Sequence, residues 1–137
     1  TLVAADLKKA DILFTVEPYP EDLQVNADPG QTEMVLLNLI KNARESLIGE
    51  NPVASPAIRL QTGADARGNV HITVTDNGHG VPPDLIEEIF IPFFTTKVTG
   101  TGIGLSISKQ IMQQQGGDIR VVSSAEQGAT FVMQFSS

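Results

Sequence analysis

Two asparagines, Asn38 and Asn42, stand four residues apart in NLIKN, a spacing that places them one above the other on a single helix face. Asparagine is a poor helix former because its side chain competes for the backbone, so a pair outside the apolar stripe needs a reason. A solvated polar face is one. The other is chemistry: an amide oxygen suits a hard cation such as Mg2+, which takes oxygen ligands and keeps several waters while bridging phosphates. Farther along, Asp76-Asn-Gly78-His-Gly80 closes a strand-like stretch. A carboxylate there can accept a hydrogen bond from an exocyclic amine, and glycines without a Cβ let a flat ring approach the backbone. D-N-G is also ordinary turn chemistry. The third constellation is Gly100-Thr101-Gly102-Ile103-Gly104, which runs into a helical pattern near Leu105. Free amides at a helix N-terminus, reinforced by its dipole, make an anion site, although glycine-rich loops are common. The spacing is neither the dinucleotide pattern G-x-G-x-x-G after a strand nor a phosphate loop ending in Gly-Lys-Ser/Thr. Lys97 precedes these glycines; its ammonium suits a triphosphate as charge partner, and an exposed surface lysine is the plain alternative. Phe90, Phe93 and Phe94 read as packing at the base of the loop. His71 and His79 have no second His or Cys at ligand spacing and read as solvent-facing or locally bonded.

The elements that must position these groups follow from pattern. Residues 12–16 and 23–26 flank the turn-rich EPYPED and predict two short strands joined by a proline-containing hairpin or loop. Asp28-Pro29 supplies an N-cap and a first-position proline, and Leu36, Leu39, Ile40, Ala43 and Leu47 recur at helical spacing until Gly49. Residues 58–62 and 70–75 alternate apolar and polar around ADARGN, predicting a hairpin. A short helix is expected over 84–89, a longer amphipathic one over about 105–115 ending at Gly116-Gly117, and two last strands over 119–123 and 130–135. Hairpins interleaved with helices favour a two-layer α/β (α+β) sandwich. Its mixed, mainly antiparallel sheet of about five strands carries about three helices on one face.

Composition narrows the classes. A chain of 137 residues with 41% hydrophobic residues is the size of one domain with an ordinary soluble core. Sixteen acidic against nine basic residues give a formal charge of -7 with no basic run, which disfavours nucleic acid as a partner. With no cysteine there is neither a disulfide framework nor a thiolate zinc site. No apolar run approaches the roughly 20 residues of a membrane-spanning helix. Direct membrane contact is not expected.

The order of the motifs carries more than any one of them. NLIKNARESL, DNGHGVP, IFIPFFTTK and GTGIGLSISKQIMQQQGGDI resemble the N, G1, F and G2 boxes of the ATP-binding (catalytic) domain of two-component sensor histidine kinases. These belong to the GHKL superfamily, of Bergerat fold, shared with DNA gyrase, mismatch-repair ATPases and a cytosolic heat-shock chaperone. The match runs from ILFTV to GATFVMQF, and the few residues between Lys97 and Gly100 look most like the nitrogen-regulation and oxygen-sensing branch.

The resemblance implies that Asp76 bonds the adenine amine, that Asn42 ligates Mg2+, and that Gly100, Thr101, Gly102, Ile103, Gly104 and Leu105 wrap the phosphates. Gly78, Gly80, Val81, Thr96, Lys97, Lys41 and Glu45 join them as nucleotide-binding positions, and Asn38, Asn42 and Lys97 become the candidates for catalysis. Hydrolysing relatives place Glu at the position of Asn38 as a general base for water; Asn has no basic lone pair. Transfer to another nucleophile is therefore expected, with ATP and Mg2+ as cofactors. The acceptor box, a His followed by an acidic residue and Pro, is missing, since Ile72 follows His71 and Gly80 follows His79. The acceptor histidine is expected on a dimerisation domain of the same parent protein, with a response regulator downstream. The expected location is the cytoplasm, on a parent that can itself be membrane-anchored. The alternatives are an ATP-sensing regulatory module without transfer activity, and a superfamily ATPase or protein-serine kinase. Ala129 stands where many superfamily members have Thr, so a hydroxyl contact to adenine from that position is not expected.

Overall fold

In the computed structural model, which describes residues 2–20, 23–25, 27–48, 53–81, 83–86, 88–91, 104–124 and 128–135, five strands form one sheet. They are β1 (Leu13–Glu17), β2 (Ala57–Ala64), β3 (Val70–Asp76), β4 (Asp118–Ser124) and β5 (Gly128–Gln134), in the spatial order β1-β2-β3-β5-β4. β1 runs parallel to β2, and the other three pairings are antiparallel. The registers set Leu60 beside Val74, Val74 beside Phe131 and Phe131 beside Val121. Because side chains alternate across a strand, that row and its neighbours Ile58, Ile119, Ala129 and Met133 share one face, and they supply the buried core. Arg59, Thr73, Thr75, Arg120 and Thr130 lie on the other face, where the Thr75 and Thr130 hydroxyls are 3.1 Å apart.

Three helices, α1 (Leu2–Lys9), α2 (Pro29–Ile48) and α3 (Gly104–Gln114), cover the apolar face. α2 begins as its sequence predicts: Asp28 Oδ1 accepts from the Gln31 amide at 3.0 Å, and Pro29 takes the first helical position, where its missing N–H is not needed. Its buried stripe is Val35, Leu39, Ile40, Ala43 and Leu47, with Leu36 only partly buried against it. Full burial of a side chain such as Leu39 stabilises by about 1.5–3 kcal/mol.

The predicted α/β sandwich, mixed sheet and three helices are present, with three differences in detail. α1 has no counterpart in the sequence reading. Residues 23–25 are not a strand, and Asn26 lies outside the described residues. β1 takes its partner from β2 in parallel, so no hairpin forms, and Leu23 and Val25 instead line a cavity of about 290 Å³ with Pro18, Tyr19 and the Val70, Ile72 and Phe135 end of the sheet. The helix expected over 84–89 is two 3-10 turns, Pro83–Leu85 and Glu88–Phe90. The prolines and the short length leave too few i to i−4 bonds for an α-helix.

Candidate nucleotide site

Asp76 is the last residue of β3, 2% exposed, opposite Ile58 in the sheet register. The chain turns sharply after it. Asp76 Oδ1 accepts from the Gly78 amide at 2.8 Å, an Asx turn of the kind D-N-G suggests. Asn77 fastens the turn to β2: its Oδ1 accepts from the Ala57 amide at 2.8 Å and its Nδ2 donates to the Ser55 carbonyl at 2.7 Å. A carboxylate buried at a strand end costs free energy unless hydrogen-bonded, and this one is held by the backbone of its own turn.

Three glycines shape the surroundings for different reasons. At Gly78 a Cβ would lie 2.7 Å from Ser46 Oγ and 2.9 Å from Asp76 Oδ1. The missing side chain there serves the packing of α2 against the turn, and the space is already filled by protein atoms. Gly80 has φ 74°, a left-handed conformation that glycine adopts without strain, and it is followed by the Val81 amide donating to Ser123 Oγ on β4. Gly128 opens β5 with φ 86°, and a Cβ there would come within 2.1 Å of the Asp76 carbonyl oxygen. β5 therefore presses directly on the backbone of Asp76. Ala129 is buried, and Thr130 carries its hydroxyl to the opposite face, where it meets Thr75, so no hydroxyl from this strand start joins Asp76.

α2 forms the long wall. Ser46 meets Gly78 at one end, and Asn38 meets α3 at the other, its Nδ2 donating to Ser108 Oγ at 3.2 Å. Asn38 also lies beside the first residue of α3: a Cβ on Gly104 would sit 3.9 Å from Asn38 Cγ. Residues 38, 42 and 46 follow at intervals of four and so line one face, with Asn42 one turn from each end and about 12 Å of helix between the outer two. Asn38, Asn42 and Glu45 are partly buried and Lys41 is exposed. The first turn of α3, which opens at Gly104, therefore lies beside Asn38. Leu105 is packed against the core, so its side chain anchors the helix start.

Sequence reasoning missed the support under this end. Lys109 Nζ donates to the Ile119 carbonyl at 2.8 Å, lies 3.0 Å from Asp118 Oδ1 and stands 4.7 Å from the centroid of the Phe90 ring. Phe90 in turn meets Phe131 edge-on at 6.4 Å, which bears out its reading as packing. Burial tends to raise the Asp118 pKa, but hydrogen bonds from Lys109 and the Ile119 amide, with the lysine charge, hold it below the ordinary carboxylate value. Nothing in SISKQI alone separates Lys109 from a surface lysine. His71 lies half-buried over Gly63, with its Nδ1 buried and unbonded among the described residues, and His79 is exposed; neither joins the site.

Of the sequence-predicted positions, Asp76 and Gly78 lie at one end of the α2 wall, with Gly80 and Val81 following them toward β4; Asn38 and Gly104 lie at the other end, and Asn42 and Glu45 between. Thr96, Lys97, Gly100, Thr101, Gly102 and Ile103, with Phe93 and Phe94, lie outside the described residues. No cluster of three or more His, Cys, Asp or Glu able to hold a metal occurs among the described residues. A Mg2+ ion that arrives with a nucleotide needs only one or two protein ligands beside phosphate oxygens and water, and a single amide such as Asn42 fits that requirement.

A buried carboxylate at a strand end, an asparagine-bearing helix and a glycine-started helix beside it define an ATP-binding domain of the GHKL superfamily. Residues 27–137 match the family described as histidine kinase-, DNA gyrase B-, and HSP90-like ATPase, and the chain belongs to it. Over 132 residues the chain is 38% identical to the sensor histidine kinase ZraS of Salmonella typhimurium, covering 96% of this chain and 27% of that protein. It thus spans about a quarter of the length of the curated relatives it matches. The catalytic domain of histidine kinase ThkA superimposes with a TM-score of 0.83 at 35% identity, covering 98% of this chain and 84% of that one. ThkA in complex with the response regulator protein TrrA gives 0.79 at 32% identity, with 98% and 36% covered. Among the described residues no helix is long and apolar enough to cross a membrane.

Proposed function

We propose that this domain binds Mg-ATP and transfers the γ-phosphoryl group to a histidine on a separate segment, as the catalytic part of a two-component sensor kinase. The observation that carries the reading is the placement of Asn38, an amide and not a carboxylate, beside the first turn of α3. Adenine is held at the other end by Asp76, and the phosphates reach the N-terminus of α3, whose amides and dipole favour them. Asn42 would hold a Mg2+ ion brought by the nucleotide, and the ion would supply charge neutralisation at the phosphates. The imidazole lone pair forms the new N–P bond as the bond from the γ-phosphorus to the bridging oxygen breaks, and ADP leaves with the electron pair. A neutral imidazole needs no strong base, so the protein's task is alignment and charge stabilisation. An amide at 38 cannot deprotonate water, and this disfavours hydrolysis as the main outcome.

The whole chain is read as one catalytic domain of the nitrogen-regulation and oxygen-sensing type, with Lys97 and the glycines from 100 to 104 completing the phosphate end. It acts from the cytoplasm on a parent that can be membrane-anchored. Its partners are a histidine-bearing dimerisation domain and, by likeness to ThkA, a response regulator. The test is to incubate the domain with Mg-ATP labelled at the γ position and a dimeric helical domain carrying an acceptor histidine. Acid-labile label on that domain is the expected result; a sample that binds nucleotide but labels nothing refutes transfer, and steady phosphate release would point to an ATPase instead.

A further inference from the structure

α3 buries one side against the rest of the domain. Leu105 is packed on the core, and Ile111 and Met112 are buried, 8% and 0% exposed. Ser108 falls in the middle of that stripe and is 0% exposed. At helical spacing this position is where an apolar side chain belongs, and a hydroxyl buried without a partner is costly. Its partner is Asn38, whose Nδ2 donates to Ser108 Oγ at 3.2 Å across the contact between α2 and α3. A polar pair is therefore set among the apolar residues of the helix contact, at the end of the α2 wall where Gly104 opens α3.

The pair has a consequence for Asn38. The terminal torsion of an asparagine side chain is broad and roughly two-fold, so an unrestrained amide would present its oxygen and its nitrogen by turns. With Nδ2 engaged by Ser108, Oδ1 takes the opposite edge of the amide. We propose that Ser108 is a positioning residue for phosphoryl transfer: its buried hydroxyl restrains the Asn38 side chain at the phosphate end of the site. This rests on Asn38 being one of the catalytic residues of the proposed transfer. A polar contact held by a buried partner is the general way a reacting group is kept within the narrow tolerance its chemistry needs. Ser108 itself touches neither nucleotide nor acceptor.

The experiment is a double-mutant cycle on Asn38→Ala and Ser108→Ala. It is read as single-turnover transfer from saturating Mg-ATP to a dimeric helical domain carrying an acceptor histidine, with nucleotide affinity measured on each variant. Ser108→Ala is smaller and more apolar than serine in a buried place, so the fold is expected to persist and ATP to bind as in the parent sequence. Transfer should slow about tenfold, the loss seen when a supporting partner of a functional group is removed. The double variant should be no slower than Asn38→Ala alone, because Ser108 has nothing to act through once the amide is gone. Wild-type transfer in Ser108→Ala, losses that multiply in the double variant, or a defect confined to nucleotide affinity would each overturn the proposal while leaving Asn38 in its role. Wild-type transfer in Asn38→Ala would remove that role, and Ser108's with it.

Discussion

The two ends of the nucleotide site are built in opposite ways. At the Asp76 end the functional group sits on a strand end whose backbone is fixed from several directions: Gly78 closes the turn, Asn77 clips it to β2, Ser46 fills the space beneath it and Gly128 presses on the Asp76 carbonyl. At the Asn38 end the functional side chain projects from a helix and is held by one hydrogen bond to a second helix. If Asp76 recognises the base as proposed, it must present the same geometry to every nucleotide, and the sheet holds its backbone to that. The proposed phosphate end depends instead on a contact between two helices, so the Asn38 side chain can be released by one substitution without disturbing the sheet.

The largest break in this comparison is Gly128→Ala. A Cβ within 2.1 Å of a backbone oxygen, at φ 86°, forces either β5 or the Asp76 turn to move. We expect a loss of about 3 kcal/mol in denaturant-measured stability, with nucleotide affinity falling alongside it. Unchanged calorimetric ATP binding would show that the two strands do not constrain each other as described. Next comes Asp76→Asn, which keeps an oxygen for the Gly78 amide but loses the charge. ATP affinity should drop about 100-fold, roughly 2.7 kcal/mol, with the unfolding midpoint nearly unmoved; equal affinity in calorimetry would remove Asp76 from the adenine. The smallest effect belongs to the middle of the wall. Asn42→Ala should weaken binding about tenfold when Mg2+ is present and far less in chelator, and equal losses in both conditions would reject the metal role.

What the sequence made legible follows the strength of local chemistry. α2 could be read because Asp28 and Pro29 announce its start and its apolar residues recur at helical spacing. The ends of α1 and α3 show where reading failed. Both helices close with the same pair of backbone bonds. In α3 the Gly116 amide meets the Gln113 carbonyl and the Gly117 amide meets Met112; in α1 the Asp11 amide meets Lys8 and the Ile12 amide meets Leu7. This is the Schellman arrangement, which needs a left-handed residue after the helix. In α3 that residue is Gly116, and the stop is visible. In α1 it is Asp11 at φ 58°, which carries no such mark, and only the burial of Leu7 and Ile12 secures the conformation.

The site divides in the same way. Asp76, Asn38 and Asn42 stood out because their residue types are unusual for their places. Ser108 and Ser123 did not, since a serine's value in a core depends on what faces it across the fold. At Gly78 the spacing suggested room for a base, and the structure adds a second reason for glycine, since Ser46 Oγ and Asp76 Oδ1 occupy the place of a Cβ. The expected strand at 23–26 failed because turn residues fix where a chain bends, while the partner of β1 is chosen by long-range sheet register.

The contact of Gly128 with Asp76 also bears on when the protein becomes competent. β5 is the last strand in the chain, yet it lies between β3 and β4. A nascent chain emerging from the ribosome thus holds α2, the Asp76 turn and α3 before the strand that packs on the Asp76 backbone has been made. Binding of ATP should therefore be acquired only with the insertion of that strand, so a chain cut before Gly128 should leave the nucleotide unbound.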